Sequence, residues 1–193
     1  HGIGIGGGIA IGRAHLLSQS AIDVVHYTLE SHELPAEKQR FEKAIRNTRK
    51  ELEMLWGSIP ENAPAELGAF LSLHIMLLND ATISREPLKV IDALRCNAEW
   101  ALKMQRDLLV QVFDDMDDAY LRARRDDVDH VVRRVQGILL AEEPAPDLLA
   151  SRLEGRIIVA DDLTPADTIL MQHQGVAAFV TEYGGPLSHT AIL

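Results

Sequence analysis

Residues 156–181, RIIVADDLTPADTILMQHQGVAAFVT, indicate the fold class of this chain. The two ends of this stretch, RIIVA (156–160) and VAAFVT (176–181), are short apolar runs, as is typical of buried strands. Between them, Thr164 followed by Pro165 matches a helix N-cap and a first-turn proline, which predicts a helix over 165–172. The order strand, helix, strand predicts a β-α-β unit.

The segment that follows, GGPLSHTAI (184–192), contains the residues best suited to chemistry. Its two glycines let the backbone approach a ligand closely, and His189 falls on the first turn of a predicted helix. Free N–H groups and the helix dipole favour negative charge at such an end. A neutral imidazole, with an ordinary pKa of about 6.5, attacks phosphorus without an added base. The segment therefore predicts a phosphorylated histidine.

Two other interpretations of the same segment start from Ser188. A helix cap at Ser188 followed by an ordinary surface histidine is equally compatible with the spacing alone. A Ser-His hydrolase fits less well, because adjacent residues on a helix project about 100° apart. Ser188 therefore does not meet the ring of His189 as a serine meets its histidine in a catalytic triad.

A helical stretch precedes the β-α-β unit. Apolar residues recur every three or four positions between residues 35 and 141, which predicts an all-α bundle. The expected helices are 35–56, 64–78, 88–94, 97–112 with Asn97 as its cap, and 128–139. The second of these helices is apolar on two faces, which is more apolar surface than one core needs.

The amino-terminal stretch HGIGIGGGIAIGRAHLL (1–17) is rich in glycine and alternates isoleucines with other residues, which predicts turns and short strands. Gly2, Gly4 and Gly7 match the pattern GxGxxG formally. No strand precedes them and no helix follows, so we reject a dinucleotide site. Residues 23–29, DVVHYTL, are β-branched and aromatic enough to predict one more strand.

The two ends of the chain are expected to form one discontinuous domain. AEEPAPDLL (141–149) interrupts the helical pattern with two prolines and indicates a linker. The simplest architecture is an α/β domain formed by 1–30 and 145–193, whose strands pair with one another, with an all-α domain, 31–144, inserted between them. The last predicted helix stops at Leu193 after little more than one turn, so we expect a fragment that ends inside a domain.

Composition narrows the class of protein and of partner. The 193 residues carry a formal charge of −10, which disfavours nucleic acid and suits a basic protein partner. The single Cys96 cannot form an internal disulfide, and neither cysteines nor histidines show the spacing of metal ligands. Neither a signal peptide nor an apolar run of about 18 residues occurs, so we expect a cytoplasmic protein that does not enter a membrane.

GGPLSHTAI resembles the phosphohistidine signature of the enzymes that use phosphoenolpyruvate (PEP), which include pyruvate phosphate dikinase, PEP synthase and Enzyme I of the bacterial sugar phosphotransferase system. HIMLLND (74–80), DDAYLRARRDDVDHVVRRV (117–135) and DDLTPADT (161–168) are similar to blocks of Enzyme I in the same order. The resemblance extends from about Gly4 to Leu193. It implies a swivelling phosphohistidine domain, truncated here, with an inserted helical bundle that docks the carrier protein HPr.

The resemblance implies a role for each residue of the signature. His189 matches the phosphorylated histidine, and Thr168 matches a hydroxyl that hydrogen-bonds the imidazole and fixes its orientation. The alternative for Thr168 is a hydrogen bond to the backbone of its own helix. The residues implied to cradle the phosphoryl group are Gly184, Gly185, Ser188 and Thr190. Pro186 and Leu187 replace a basic residue and a threonine of the common family form, which removes a possible cation near the phosphate.

The resemblance also implies a docking surface for HPr on two of the helices. The matching residues are His74, Met76 and Leu77 on one helix, and Tyr120, Leu121 and Arg124 on the other. Apolar anchors surrounded by charge are the usual form of such a surface. Core packing is the alternative for Met76 and Leu77. We expect His74 to be a rim or satisfied polar residue rather than a metal ligand.

The family's reaction passes a phosphoryl group from PEP to the histidine of Enzyme I and then to HPr. PEP and Mg²⁺ bind in a carboxy-terminal domain, so we expect this chain to need no cofactor and to exchange phosphate only with phosphorylated HPr. We expect a monomer, although full-length relatives are implied to be homodimers. The alternatives are the swivelling domain of a dikinase or PEP synthase, and a regulatory, nitrogen-related paralogue of Enzyme I.

Overall fold

The computed structural model describes residues 3–4, 8–17, 24–59, 63, 65–117, 119–141, 153–161 and 163–182. Within these ranges, the helices are α1 (Leu34–Gly57), α2 (Ala65–Asn79), α3 (Ala81–Ser84), α4 (Glu86–Leu94), α5 (Ala98–Asp114), α6 (Ala119–Leu140) and α7 (Pro165–His173). The strands are β1 (Ala14–Leu17), β2 (Ile157–Ala160) and β3 (Ala178–Thr181).

These strands form a parallel sheet in the order β1-β2-β3. Leu17 lies opposite Ala160, and Ala160 lies opposite Thr181, so the strands end together at one edge. The β-α-β prediction for 156–181 is confirmed, with α7 joining β2 to β3. The expected pairing of an amino-terminal strand with a carboxy-terminal one is confirmed by β1 and β2.

The chain divides into two compact units. The sheet unit comprises residues 1–21, 55–71 and 145–193, and the helical unit comprises residues 22–54 and 72–144. The domain boundaries expected from the sequence, at residues 30 and 144, stay a prediction.

The core of the sheet unit lies where α7 meets the strands. Its buried members are Ile158, Ala160, Leu163 and Met171. Leu17, Leu153, Val176 and Phe179 are partly buried and pack against them. The strands contribute alternate residues, as expected for a pleated sheet.

Gly12 shows why a glycine precedes β1. A Cβ atom at this position would overlap the carbonyl oxygen of Gly155, which belongs to the turn before β2. Gly155 itself has a φ of +70°, a conformation that favours glycine. The two glycines therefore let the segments leading into β1 and β2 approach closely, and the Ile157 N–H then donates to the Arg13 carbonyl at 3.0 Å.

In the helical unit, α5 packs against α4 and α6. Most of the periodic apolar residues that predicted α6 are buried, namely Val128, Val131, Val132, Val135 and Leu139, whereas Ile138 is half-buried. The sequence pattern does not predict the short helix α3. Asp80 caps it by accepting a hydrogen bond from the Thr82 N–H at 2.7 Å. Hydrogen bonding with the Thr82 side chain and with this N–H lowers the pKa of Asp80.

The sequence prediction of a strand at 23–29 is wrong for the described residues. Residues 24–27 do not form a strand, and Thr28 makes only an isolated bridge to Cys96. The Asn97 side chain explains this, because it accepts from the Tyr27 N–H and donates to the Val25 carbonyl. The stretch 1–17, predicted to contain turns and short strands, contains β1 (Ala14–Leu17). Described residues 3–4 and 8–13 contain no strand, and Ile9 and Ile11 are more than 90% exposed.

Asn97 is the N-cap residue of α5, as predicted, but its side chain does not cap the helix. Glu37 of α1 does so instead, by accepting from the Ala98 N–H at 2.6 Å. Arg40 holds this carboxylate and that of Glu99 with paired hydrogen bonds of 2.7–2.9 Å. The network ties α1 to α5 through three charged side chains, of which both carboxylates are buried.

By length and apolar character, none of the individual helices in the described ranges could span a membrane. The pair 65–79 and 81–94, bent by 57°, satisfies those two criteria when taken together.

Candidate functional site

Thr168 lies on α7 in the sheet unit and is 1% exposed. Its hydroxyl donates to the carbonyl of Pro165 at 2.8 Å, so the proton of this hydroxyl is used by its own helix. A hydroxyl also has two acceptor lone pairs. Thr168 can therefore accept an N–H from an imidazole while it keeps its bond to Pro165.

The start of α7 is held by a capping box. The Thr164 hydroxyl accepts from the Asp167 N–H at 3.2 Å, and the Asp167 carboxylate accepts from the Thr164 N–H at 3.1 Å. Pro165 at the first position adds a preset backbone angle. These local interactions fix the turn that carries Thr168.

Because the sheet is parallel, the carboxyl ends of β2 and β3 lie at one edge. The segment leading to α7 leaves from Ala160, and the chain that continues to GGPLSHTAI leaves from Thr181, directly opposite. Ligand sites of parallel sheets form outside such carboxyl ends. The predicted residues of the signature itself, Gly184, Gly185, Ser188, His189 and Thr190, lie outside the described residues.

His74 is buried on α2 in the helical unit, with 2% exposure, and is not on a surface rim. Its Nε2 lies 3.5 Å from Oδ1 of Asp127 on α6. Burial lowers the pKa of His74, and the Asp127 carboxylate opposes this only in part. His74 is therefore a neutral imidazole at pH 7, oriented by a carboxylate between two helices.

The other residues expected on a docking surface lie on the same two helices. Met76 is 61% exposed, so core packing does not apply to it, and Leu77 is partly exposed. Arg124 on α6 donates to Oδ2 of Asp127 at 3.1 Å. The side chains of Tyr120 and Leu121 lie outside the described residues.

His130 is a residue that the sequence did not single out. It lies one turn after Asp127 on α6, and its ring centre is 6.1 Å from that of His74. One ligand atom from each of His74, Asp127 and His130 can be chosen so that all three lie within 4.8 Å of one another. The spacing of Asp127 and His130 shows that they share a helix face, but His74 is distant in sequence and joins them only in the folded chain.

Comparisons with known proteins agree with this fold. A family described as PEP-utilising enzyme, N-terminal, matches residues 1–124. A second, described as PEP-utilising enzyme, mobile domain, matches residues 152–193. The chain belongs to the family of PEP-utilising enzymes.

Curated members of this family match the whole chain. PEP-protein phosphotransferase of Cupriavidus necator is 44% identical over 200 residues, and that of Bacillus subtilis is 36% identical over 197 residues. The chain spans about a third of the length of these relatives, 34% and 33%. Their names confirm the resemblance to Enzyme I that the sequence motifs indicated.

Solved structures agree. A solution structure of Enzyme I (nEIt) matches 97% of this chain and 75% of its own, with a TM-score of 0.75 and 28% identity. An N-terminal domain of the nitrogen-related Enzyme I matches 97% of this chain and 76% of its own, with a TM-score of 0.72 and 22% identity. The second likeness concerns the fold alone.

Proposed function

We propose that this chain is the part of a PEP-protein phosphotransferase that carries a phosphoryl group on His189 and passes it to an HPr-type carrier protein in bacterial sugar uptake. One observation carries the proposal: residues 152–193 match the mobile domain of PEP-utilising enzymes, and this range contains GGPLSHTAI. Thr168 and the parallel-sheet edge from which both segments leave support it.

In the proposed step, the unprotonated ring nitrogen of His189 attacks the phosphorus of a phosphorylated carrier histidine. The new N–P bond forms as the donor's N–P bond breaks, and the electron pair of the broken bond returns to the donor imidazole. The other ring nitrogen of His189 keeps its proton. Because both ends of the transfer are imidazoles, the reaction runs in either direction.

Thr168 has a positioning role in this proposal. Its hydroxyl proton is held by the Pro165 carbonyl, and its lone pairs are proposed to accept the N–H of His189. That hydrogen bond selects the tautomer in which the opposite nitrogen is bare and able to attack. The glycines and the hydroxyls of Ser188 and Thr190 are proposed to surround the phosphoryl oxygens.

The carrier protein is proposed to dock on α2 and α6. Exposed Met76 supplies an apolar anchor, and Leu77, Tyr120, Leu121 and Arg124 are proposed to complete the surface. The net charge of −10 favours a basic partner. His74 is proposed to support this surface from beneath, because it is buried between the two helices.

PEP and Mg²⁺ are proposed to act in a part of the longer relatives that this chain does not span. Neither of them takes part in the transfer between His189 and the carrier histidine. The proposal includes a cytoplasmic location and, for the full-length protein, a homodimer.

The test is intact-mass analysis after incubation with phosphorylated HPr. We expect the gain of one phosphoryl group that is labile to acid and stable to alkali, as a phosphohistidine is. His189→Ala should gain none, whereas His32→Ala, which removes a histidine whose side chain is 76% exposed and has no proposed role, should react normally.

Failure of the folded chain to react with phosphorylated HPr would contradict the proposed partner. Reaction only with a phosphorylated nitrogen-related carrier would favour the regulatory branch. A phosphoryl group retained in His189→Ala would show that another residue is the acceptor.

A further inference from the structure

The helical unit contains a second group of residues with recognisable ligand chemistry. His74 on α2, Asp127 on α6 and His130 on α6 offer three ligand atoms within 4.8 Å of one another. His74 is buried, whereas Asp127 and His130 are partly exposed.

These three residues are suited to one class of ion. Two imidazoles and one carboxylate match the ligand preferences of zinc and neighbouring divalent transition metals, whereas Mg²⁺ and Ca²⁺ prefer sets of oxygen ligands. A metal binds the bare ring nitrogen of a neutral imidazole.

The distances allow a metal after a small closure. Tetrahedral ligands about 2.0–2.1 Å from zinc lie roughly 3.4 Å apart. The Nε2 atom of His74 and Oδ1 of Asp127 are already 3.5 Å apart. The three ligand atoms lie within 4.8 Å of one another, so each distance between them needs to shorten by at most about 1.4 Å to reach the spacing of a zinc site. Small side-chain rotations can supply such a change.

Arg124 holds the Asp127 carboxylate through the oxygen that does not face His74. Arg124 bonds Oδ2 of Asp127, which leaves Oδ1 directed at His74. Arg134, whose positive charge disfavours protonation of His74, forms an ion pair with the Glu51 carboxylate of α1. Carboxylates that bind metals are commonly held by such a second partner.

We propose that His74, Asp127 and His130 bind one divalent transition-metal ion of the zinc class, with water as the fourth ligand, and that the ion ties α2 to α6. This site is separate from the phosphoryl transfer proposed for His189. It adds a cross-link between the two helices that carry Met76 and Arg124, and it replaces the direct contact between His74 and Asp127.

The experiment uses the chain stripped of metal by a chelator and titrated with Co²⁺, followed by displacement with Zn²⁺. We expect one equivalent to produce the intense visible absorption of a tetrahedral cobalt site, and Zn²⁺ to remove it. His130→Gln should weaken Co²⁺ binding at least tenfold. Loss of a residue that merely hydrogen-bonds a metal ligand already costs about this much affinity. His32→Gln is the matched control, because it removes an exposed histidine beside Glu30.

Imidazole resonances of the unmodified chain provide a second measurement that does not depend on any variant's folding. Addition of one equivalent of Zn²⁺ should shift the ring signals of His74 and His130 together. If these two signals stay in place, or if His130→Gln binds Co²⁺ as tightly as His32→Gln does, the cluster is a hydrogen-bonded link between helices and the metal proposal is wrong.

Discussion

At the scale of single residues, the buried hydroxyl of Thr168 combines a structural bond with a proposed catalytic one. The Thr168 hydroxyl donates its proton to the Pro165 carbonyl, so in the proposal it can only accept a hydrogen bond from His189. Thr48 on α1 makes the corresponding structural bond, from its buried hydroxyl to the Ala44 carbonyl at 2.9 Å. The two threonines therefore differ in the role proposed for their lone pairs.

Thr168→Val should slow phosphoryl transfer from phosphorylated HPr about tenfold, the effect of losing one hydrogen bond of about 1.4 kcal/mol. The reason is that the variant no longer fixes the tautomer and orientation of His189. The measurement is the initial rate of phosphate incorporation.

Thr48→Val is the control for stability, because it removes a similar buried hydroxyl without a proposed catalytic role. Both variants should lose about 1 kcal/mol of unfolding free energy. Equal transfer rates in the two variants would remove Thr168 from the mechanism.

Met76→Ala should weaken binding of the HPr-type carrier about fivefold to tenfold, since truncation of an apolar anchor costs more than about 1 kcal/mol. A titration of the labelled carrier followed by nuclear magnetic resonance measures the affinity. Met54→Ala is the matched control, because Met54 is 57% exposed, close to the 61% of Met76. An equal effect of both variants would argue against docking at Met76.

At the scale of elements, the charged network of Arg40, Glu37 and Glu99 joins α1 to the start of α5. Arg40 also donates to the carbonyl of Leu139 near the end of α6, at 2.9 Å. Helix propensity does not predict such a link, because its partners come from three separate helices. Because Glu37 caps α5, the Asn97 side chain is able to hydrogen-bond the backbone of Val25 and Tyr27 instead.

Arg40→Ala should destabilise the chain by about 3 kcal/mol, because it leaves two buried carboxylates without their cation. This value is at the low end of the usual cost of breaking a buried ion pair, because the Arg40 side chain is 35% exposed. Denaturant unfolding measures the loss. Arg46→Ala breaks only an exposed pair with Glu42 at 3.9 Å and should change stability by less than about 0.5 kcal/mol.

The same network predicts a response to acid. Burial raises the pKa of Glu99, but hydrogen bonds from Arg40 and Asn97 outweigh burial and lower the pKa from its ordinary 4.5. The unfolded state therefore binds the proton first as the pH falls. Stability contributed by Glu99 is present above pH 4.5 and is lost as the pH falls below it, through the folded-state pKa.

Glu99→Gln should flatten the dependence of unfolding free energy on pH below 4.5, because the group no longer titrates. Unfolding curves between about pH 3 and pH 7 test this. Glu53→Gln changes an exposed carboxylate of α1 and should keep the slope of the unmodified chain. An unchanged slope in Glu99→Gln would show that other groups govern the acid response.

At the scale of the whole molecule, the chain consists of a sheet unit that contains Thr168 and a helical unit that carries the proposed docking surface. In the sheet unit, β1 and β2 pair in parallel although they come from distant parts of the sequence. The proposed division of roles, with phosphate on one unit and partner recognition on the other, follows this arrangement.

Incubation of this chain with PEP and Mg²⁺ alone should give no phosphorylation, because the PEP site is proposed to lie in the part of the relatives that the chain does not span. Intact-mass analysis checks this, with phosphorylated HPr as the positive control. Incorporation from PEP without another protein would place a PEP site within these 193 residues.

Features that depend on neighbouring residues could be predicted from the amino-acid sequence alone. The helical periodicity of 128–139, the Thr164-Pro165 start of α7 and the apolar runs of β2 and β3 all predicted their elements, because caps and hydrophobic periods act within a few positions. The motif GGPLSHTAI, together with the blocks around it, also indicated the family that the comparisons show.

Features that depend on distant residues required the folded chain. The expected strand at 23–29 is lost because Asn97 binds its backbone, and α5 is capped by Glu37 from another helix. His74 meets His130 for the same reason: α2 lies beside α6 only after folding. No local pattern encodes these contacts, since their energy comes from packing and from pairing buried polar groups across long separations in sequence.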